Sequence, residues 1–168
     1  MENITLANTV CFTGHRPESL PWGYNENDDR CLAIKKELKA LILNAIDSGY
    51  THFISGMAEG IDQIAAEIVL GLKYDFNNIT LECAVPFTKQ SSRWSYRSQE
   101  KYNDILSRAD KISVLSPTFY KGCLQVRNKY MIDRSSLLIA VFNGSAGGTK
   151  STIELARKKN LDVWVVNC

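Results

Sequence analysis

Apolar positions along the chain alternate between two rhythms. Short β-rich runs occur at Thr9 to Thr13, His52 to Ser55, Ile79 to Val85, Lys111 to Leu115, Leu137 to Phe142 and Val163 to Val166. The intervals carry helical spacing. From about Asp29 to Ser48, Leu38, Leu41, Ile42, Ala45 and Ile46 share one stripe, with Asn27 or Asp28 as N-cap candidates and Gly49 as a stop. A second helix from about Gly60 to Leu72 turns Ile61, Ile64, Ala65, Ile68, Val69 and Leu72 inward. A more polar third, Ser92 to Ala109, carries Trp94, Tyr96 and Tyr102, and further helices fit Gln125 to Arg134 and Ser151 to Lys159.

Repeated strand–helix–strand units without a hairpin signal predict an α/β fold. Its form is a Rossmann-like, doubly wound, mostly parallel six-stranded sheet with helices on both faces. No repeat, low-complexity tract or linker divides residues 1–168, so one domain is expected; Pro21 to Asp29 reads as a polar loop. In such sheets ligands bind beyond the carboxyl ends of the strands, which directs attention to the turns there.

Three of those turns carry chemistry. After the first strand, Gly14 permits an unusual backbone angle, Pro17 holds Arg16 extended, and His15 and Arg16 are presented together. Arg16 can grip a phosphate by two parallel hydrogen bonds, and His15 can donate to the same group or stack on a base. The alternative is an exposed Arg beside a packed His. After the second strand, Gly56 and Gly60 allow a tight turn into a helix whose amides favour an anion, and Asp62 suits ribose hydroxyls or backbone amides. An ordinary strand-to-helix turn explains the same residues. After the fifth strand, Gly147, Gly148, Thr149 and Ser151 place small residues, amides and hydroxyls at a helix start. Gly144 to Ser151 misses the phosphate-loop pattern by one position, because Thr149 stands where the last glycine is required. One shared nucleotide-like pocket accounts for all three turns.

Composition narrows the partners. Twenty Lys and Arg against 18 acidic residues leave a net charge of +2, too small to announce nucleic-acid binding by bulk electrostatics. With no apolar run of membrane-spanning length and no leader-like N-terminus, a soluble cytoplasmic protein without membrane contact is expected. The five cysteines, Cys11, Cys31, Cys83, Cys123 and Cys168, are widely spaced and read as reduced structural thiols; no metal site or cofactor is expected. His52, at the start of its strand, reads as structural. Trp94 and Tyr120 can stack on a base or fill a groove, and Lys35, Lys36, Lys39, Lys158 and Lys159 read as solvated helix faces.

The stretches "TGHRP" at Thr13 to Pro17, "SGMAEGID" at Ser55 to Asp62, "QVRNKYMIDRSSLLIAVFNG" at Gln125 to Gly144 and "GGTKSTIELA" at Gly147 to Ala156 resemble the SLOG superfamily of Smf/DprA and LOG proteins, most closely its YpsA-like branch. The resemblance implies a Rossmann-like domain that binds a nucleotide or nucleotide-derived ligand such as AMP or ADP-ribose, metal-free and homodimeric, as a sensor or sequestering module. For LOG-type relatives it also implies hydrolysis of nucleoside 5′-monophosphates, with Arg127 and Glu154 on the catalytic positions. Ala146, Lys150 and Ser151 depart from that enzyme pattern, so phosphate binding is the stronger expectation. Glu154 otherwise reads as a helix-surface carboxylate near Arg157 or Lys158, and Arg127 as a helix salt bridge. Single-stranded DNA binding, as in DprA-like relatives, is the third reading.

Overall fold

The strand at Thr9–Gly14 (β1) is apolar on both sides, and in the computed structural model, which describes residues 4–168, it takes the central place such a strand needs. Around it lie His52–Ser55 (β2), Thr80–Val85 (β3), Lys111–Val114 (β4), Leu137–Phe142 (β5) and Asp162–Asn167 (β6). Their order is β4-β3-β2-β1-β5-β6, and every neighbouring pair is parallel. Helices Asp29–Asp47 (α1), Ile61–Leu72 (α2), Tyr96–Arg108 (α3), Cys123–Asp133 (α4) and Gly148–Lys158 (α5) make the crossovers.

Strand alternation divides the core in two. Val10 and Phe12 face one side, together with Phe53 and Leu81, under Leu38 and Ile42 of α1 and Ala65 and Val69 of α2. Cys11 and Ile54 face the other, under Met131 and Ile132 of α4 and Ile153 and Ala156 of α5. Burying each large side chain contributes roughly 1.5–3 kcal/mol before chain entropy is counted. Asp28 caps α1, accepting from the Arg30 amide at 2.9 Å. Three helices start two or more residues from where the periodicity predicts, α4 at Cys123 instead of Gln125 among them. α3 begins at Tyr96 because Ser95 accepts the Ser98 amide, leaving residues 86–95 as bends and turns. α5 begins at Gly148, so Ser151 belongs to the helix body.

Gly14 corrects an expectation. Its backbone is not in the left-handed region; instead a Cβ there would lie 2.4 Å from Ile61 Cβ at the start of α2. Glycine is needed because helix and strand touch. Gly14→Ala is therefore expected to lower stability by roughly 1–3 kcal/mol through overpacking, read as a lower urea midpoint. An unchanged midpoint would mean that α2 moves aside freely.

Beneath the sheet's amino edge lies a buried polar network. The Glu82 carboxylate accepts from His52 Nε2 at 2.8 Å, Ser113 Oγ at 2.8 Å and Tyr130 OH at 2.6 Å. Burial pushes the carboxyl up, but these bonds and nearby Lys111 outweigh it and hold it down at about 2. His52 also lies 2.7 Å from the Thr80 hydroxyl, in keeping with its structural reading.

Candidate functional site

Chain order runs from β1 through β2 and β3 to β4, then jumps back to β5 on the other side of β1. The carboxyl ends of β1 and β5 therefore flank the switch point, where crossovers on opposite faces leave a crevice. A cavity of about 300 Å³ occupies it, lined by Thr13, Gly14, His15 and Arg16 after β1, Asp62 of α2, Arg127 and Asn128 of α4, and Gly147, Gly148 and Thr149 at the start of α5. A second cavity of about 590 Å³ adjoins it through Arg16, Glu18, Ala58 and Leu124, and is walled by Tyr24, Phe87, Gln90, Arg93, Trp94 and Phe119.

The α5 end of the inner cavity is rich in open donors. Ser151 is the first amide of α5 with a partner, the Gly147 carbonyl at 3.1 Å, so the amides of Gly148, Thr149 and Lys150 are unbonded among the described residues. Thr13 and Thr149 are as residues only 8% and 7% exposed, and neither hydroxyl has a hydrogen-bond partner among the described residues. Both line the cavity. Their hydroxyls are therefore free to bond a group placed in the cavity.

Opposite charges meet here without touching. Arg127, 4% exposed, donates from Nη1 to the Gly56 carbonyl and from Nε to Asn128 Oδ1 at 2.8 Å. Asp62 is buried and accepts the Ala58 amide at 3.3 Å. Burial pushes the Asp62 carboxyl above its ordinary value, against the pull of Arg127 and Arg16; burial pushes the Arg127 guanidinium down, against the attraction of Asp62. No ion-pair contact joins them, and both face the same space.

Several expected residues have other positions or roles. His15 is not a second cation: its Nε2 accepts the Asn143 amide at 3.1 Å, its ring stacks on Phe142 at 5.8 Å, and burial lowers its pKa. It pins the β5 exit to the β1 loop. Gly56 and Gly60 do not line the inner cavity. A Cβ on Gly56 would lie 2.7 Å from the Arg127 guanidinium carbon, and Gly60 packs beneath the His15 carbonyl, which accepts the Ile61 amide at 3.3 Å. The first loop, not a ligand, thus occupies that amide of α2. Ser151 and Glu154 are exposed on α5 and line neither cavity, so Glu154 is not brought together with Arg127. Tyr120 is exposed and Phe119 takes its place in the groove, while Trp94 lines the outer cavity edge-on to Tyr102 at 5.3 Å.

Comparison with known proteins adds the lineage. The family model named YpsA, described as the YspA SLOG family, matches residues 10–166. The chain belongs to the YspA SLOG family. A UPF0398 protein of Halalkalibacterium halodurans is 31% identical over 153 residues, covering 89% of this chain and 80% of that one. A Bacillus cereus UPF0398 protein is 29% identical over 154 residues, with 89% and 83% covered. Among solved structures, DNA processing protein A from Helicobacter pylori, reported for its single-stranded DNA binding mode, aligns with a TM-score of 0.61 at 19% identity, covering 94% of this chain and 64% of that one. DNA processing protein A from Streptococcus pneumoniae aligns with a TM-score of 0.62 at 18% identity, with 94% and 49% covered. This YspA SLOG chain thus spans less than two thirds of either structure, and the likeness is one of fold. Among the described residues no helix is long and apolar enough to cross a membrane.

Thr13, Asn128 and Gln90 were not singled out from sequence, although local signals exist. Alternation puts Thr13 on the face of Cys11, and Asn128 follows Arg127. Gln90 has no such signal: its amide donates to the Gly56 carbonyl at 3.1 Å, and its oxygen accepts from Tyr102 at 3.1 Å.

Proposed function

We propose that the chain binds a nucleotide or nucleotide-derived ligand, AMP-like or ADP-ribose-like, at the carboxyl edge of the sheet, acting as a sensor or sequestering module. The observation that carries this reading is the pair of unpartnered hydroxyls on the cavity-lining residues Thr13 and Thr149 beside the open amides of α5. A phosphate supplies the acceptors those groups lack, and the helix end favours its charge. Asp62 suits ribose hydroxyls, and the aromatic outer cavity suits a base. Binding is favoured over N-glycosidic hydrolysis because Glu154 stands outside the cavity.

Isothermal titration against AMP, ADP-ribose and cyclic ADP-ribose tests the proposal. Thr149→Val is expected to weaken the bound ligand by roughly 10- to 100-fold, the loss of one hydrogen bond to a charged group, about 1.5–3 kcal/mol. Absence of binding at millimolar ligand would refute the reading.

A further inference from the structure

Gly60 sets two acidic residues side by side. Having no side chain, it lies against the first loop, where a Cβ would come within 2.5 Å of the His15 carbonyl oxygen and 3.2 Å of Pro17 Cδ. This close approach brings Glu59, its neighbour in sequence, to Glu18 of the short 3-10 turn Pro17–Ser19. The two carboxylates meet at one hydroxyl: Tyr24 OH donates to Glu18 Oε1 at 3.1 Å and lies 3.4 Å from Glu59 Oε1. No other hydrogen bond or ion pair engages either carboxylate among the described residues.

Donors are too few for these acceptors. A phenol carries one proton, two carboxylates present four oxygens, and like charges gathered at one point repel. Burial and the charge of Glu59 push the Tyr24 hydroxyl up to about 12, so it keeps its proton. Both carboxylates line the outer cavity, where Arg16 and Arg93 match them in number. That wall is therefore balanced in charge: it gives a cation no net attraction, while its acceptors stay open to a neutral group with N–H to donate. Phe87, Trp94 and Phe119 on the rest of the wall favour a flat ring.

From this juxtaposition we infer that Glu18 and Glu59 select a base with an exocyclic amino group, whose two hydrogens the paired carboxylates accept. The inference rests on the nucleotide reading and names the edge of the base that the outer cavity recognises. Adenine and guanine both carry such a group. Hypoxanthine lacks it and has a carbonyl oxygen in the place of the adenine amino group, where it faces two anionic acceptors. A donor is lost and a repulsion gained, and a site built around hydrogen bonds rejects the analogue that cannot make them.

Isothermal titration of the full chain with AMP, GMP and IMP tests the inference. Tyr24 is 61% exposed, so water competes at the cavity mouth. The expected discrimination is that of one charge-assisted bond, with AMP or GMP bound at least about 10-fold more tightly than IMP. Whichever of the two binds more tightly identifies the base. Glu18 is exposed and Glu59 half-exposed, so the combined variant Glu18→Gln and Glu59→Gln is expected to melt at the wild-type temperature. Its amides donate to the IMP oxygen, and the preference is expected to shrink to about 3-fold or less. The preference is a ratio within one protein, so a general weakening of the site cancels. IMP bound as tightly as AMP and GMP, or a preference unchanged in the variant, would overturn the amino-group inference and leave the nucleotide reading in place. Failure of all three to bind at millimolar concentration overturns both.

Discussion

Glu82→Ala is expected to cost roughly 3–5 kcal/mol at neutral pH, a large share of the about 5–15 kcal/mol that holds a domain folded. The substitution strands the His52, Ser113 and Tyr130 donors around the site where Glu82 is 1% exposed. Those donors come from β2, β4 and α4, so one carboxylate ties three elements to β3. The pH dependence has a definite sign. With the folded carboxyl held at about 2 against an ordinary 4.5, its stabilisation is complete above the unfolded value and is lost as pH falls toward 2. That contribution is roughly 3 kcal/mol. Urea denaturation of both proteins at pH 7 and at pH 3 should show the difference between them narrowing in acid. A constant difference would mean that packing, not charge, is what Glu82 supplies.

Arg127→Ala is expected to be similarly destabilising, by roughly 3–5 kcal/mol, because it leaves the Asp62 charge buried without compensation. Burial already raises the folded Asp62 pKa, so the native state binds its proton more readily than the unfolded chain does. Such a group favours folding below its unfolded pKa and loses that advantage as pH rises through the folded value. Without Arg127 the folded value rises further, and the deficit should widen from pH 5 to pH 8. Asp62→Asn in the same chain should recover at least about 1 kcal/mol, a coupling that a denaturant double-mutant cycle measures. Full additivity of the two substitutions would show that the charges act independently. Nucleotide binding should be lost in Arg127→Ala even where the protein remains folded.

The alternation of short apolar runs with helical stripes was enough to locate every strand and their parallel pairing, though not their order in the sheet; burial on both faces marks the central strands, while β4 and β6 are largely exposed. The candidate site was legible in its loops and less so in its roles. Thr149, Gly147 and Arg16 line the inner cavity, at the loop positions that a helix start and an exposed guanidinium mark locally. Gly14 and Gly56 were misread because a missing side chain signals close approach as readily as a special backbone angle, and only packing against Ile61 and Arg127 distinguishes them. His15 took the Asn143 amide, a partner from the far end of the chain that no local pattern announces.

The pairing of Val10 to Gly14 with Leu137 to Val141 joins the two ends of the chain. Until β5 has been synthesised, β1 has one open edge, and Thr13 stands beside a strand that does not yet exist. Closing so long a loop is slow, and an unpaired apolar edge invites association in the meantime. The inner cavity and this last central pairing are completed in the same event. A ligand that bridges the β1 turn and α5 therefore stabilises the assembled chain by mass action and acts against its premature reopening.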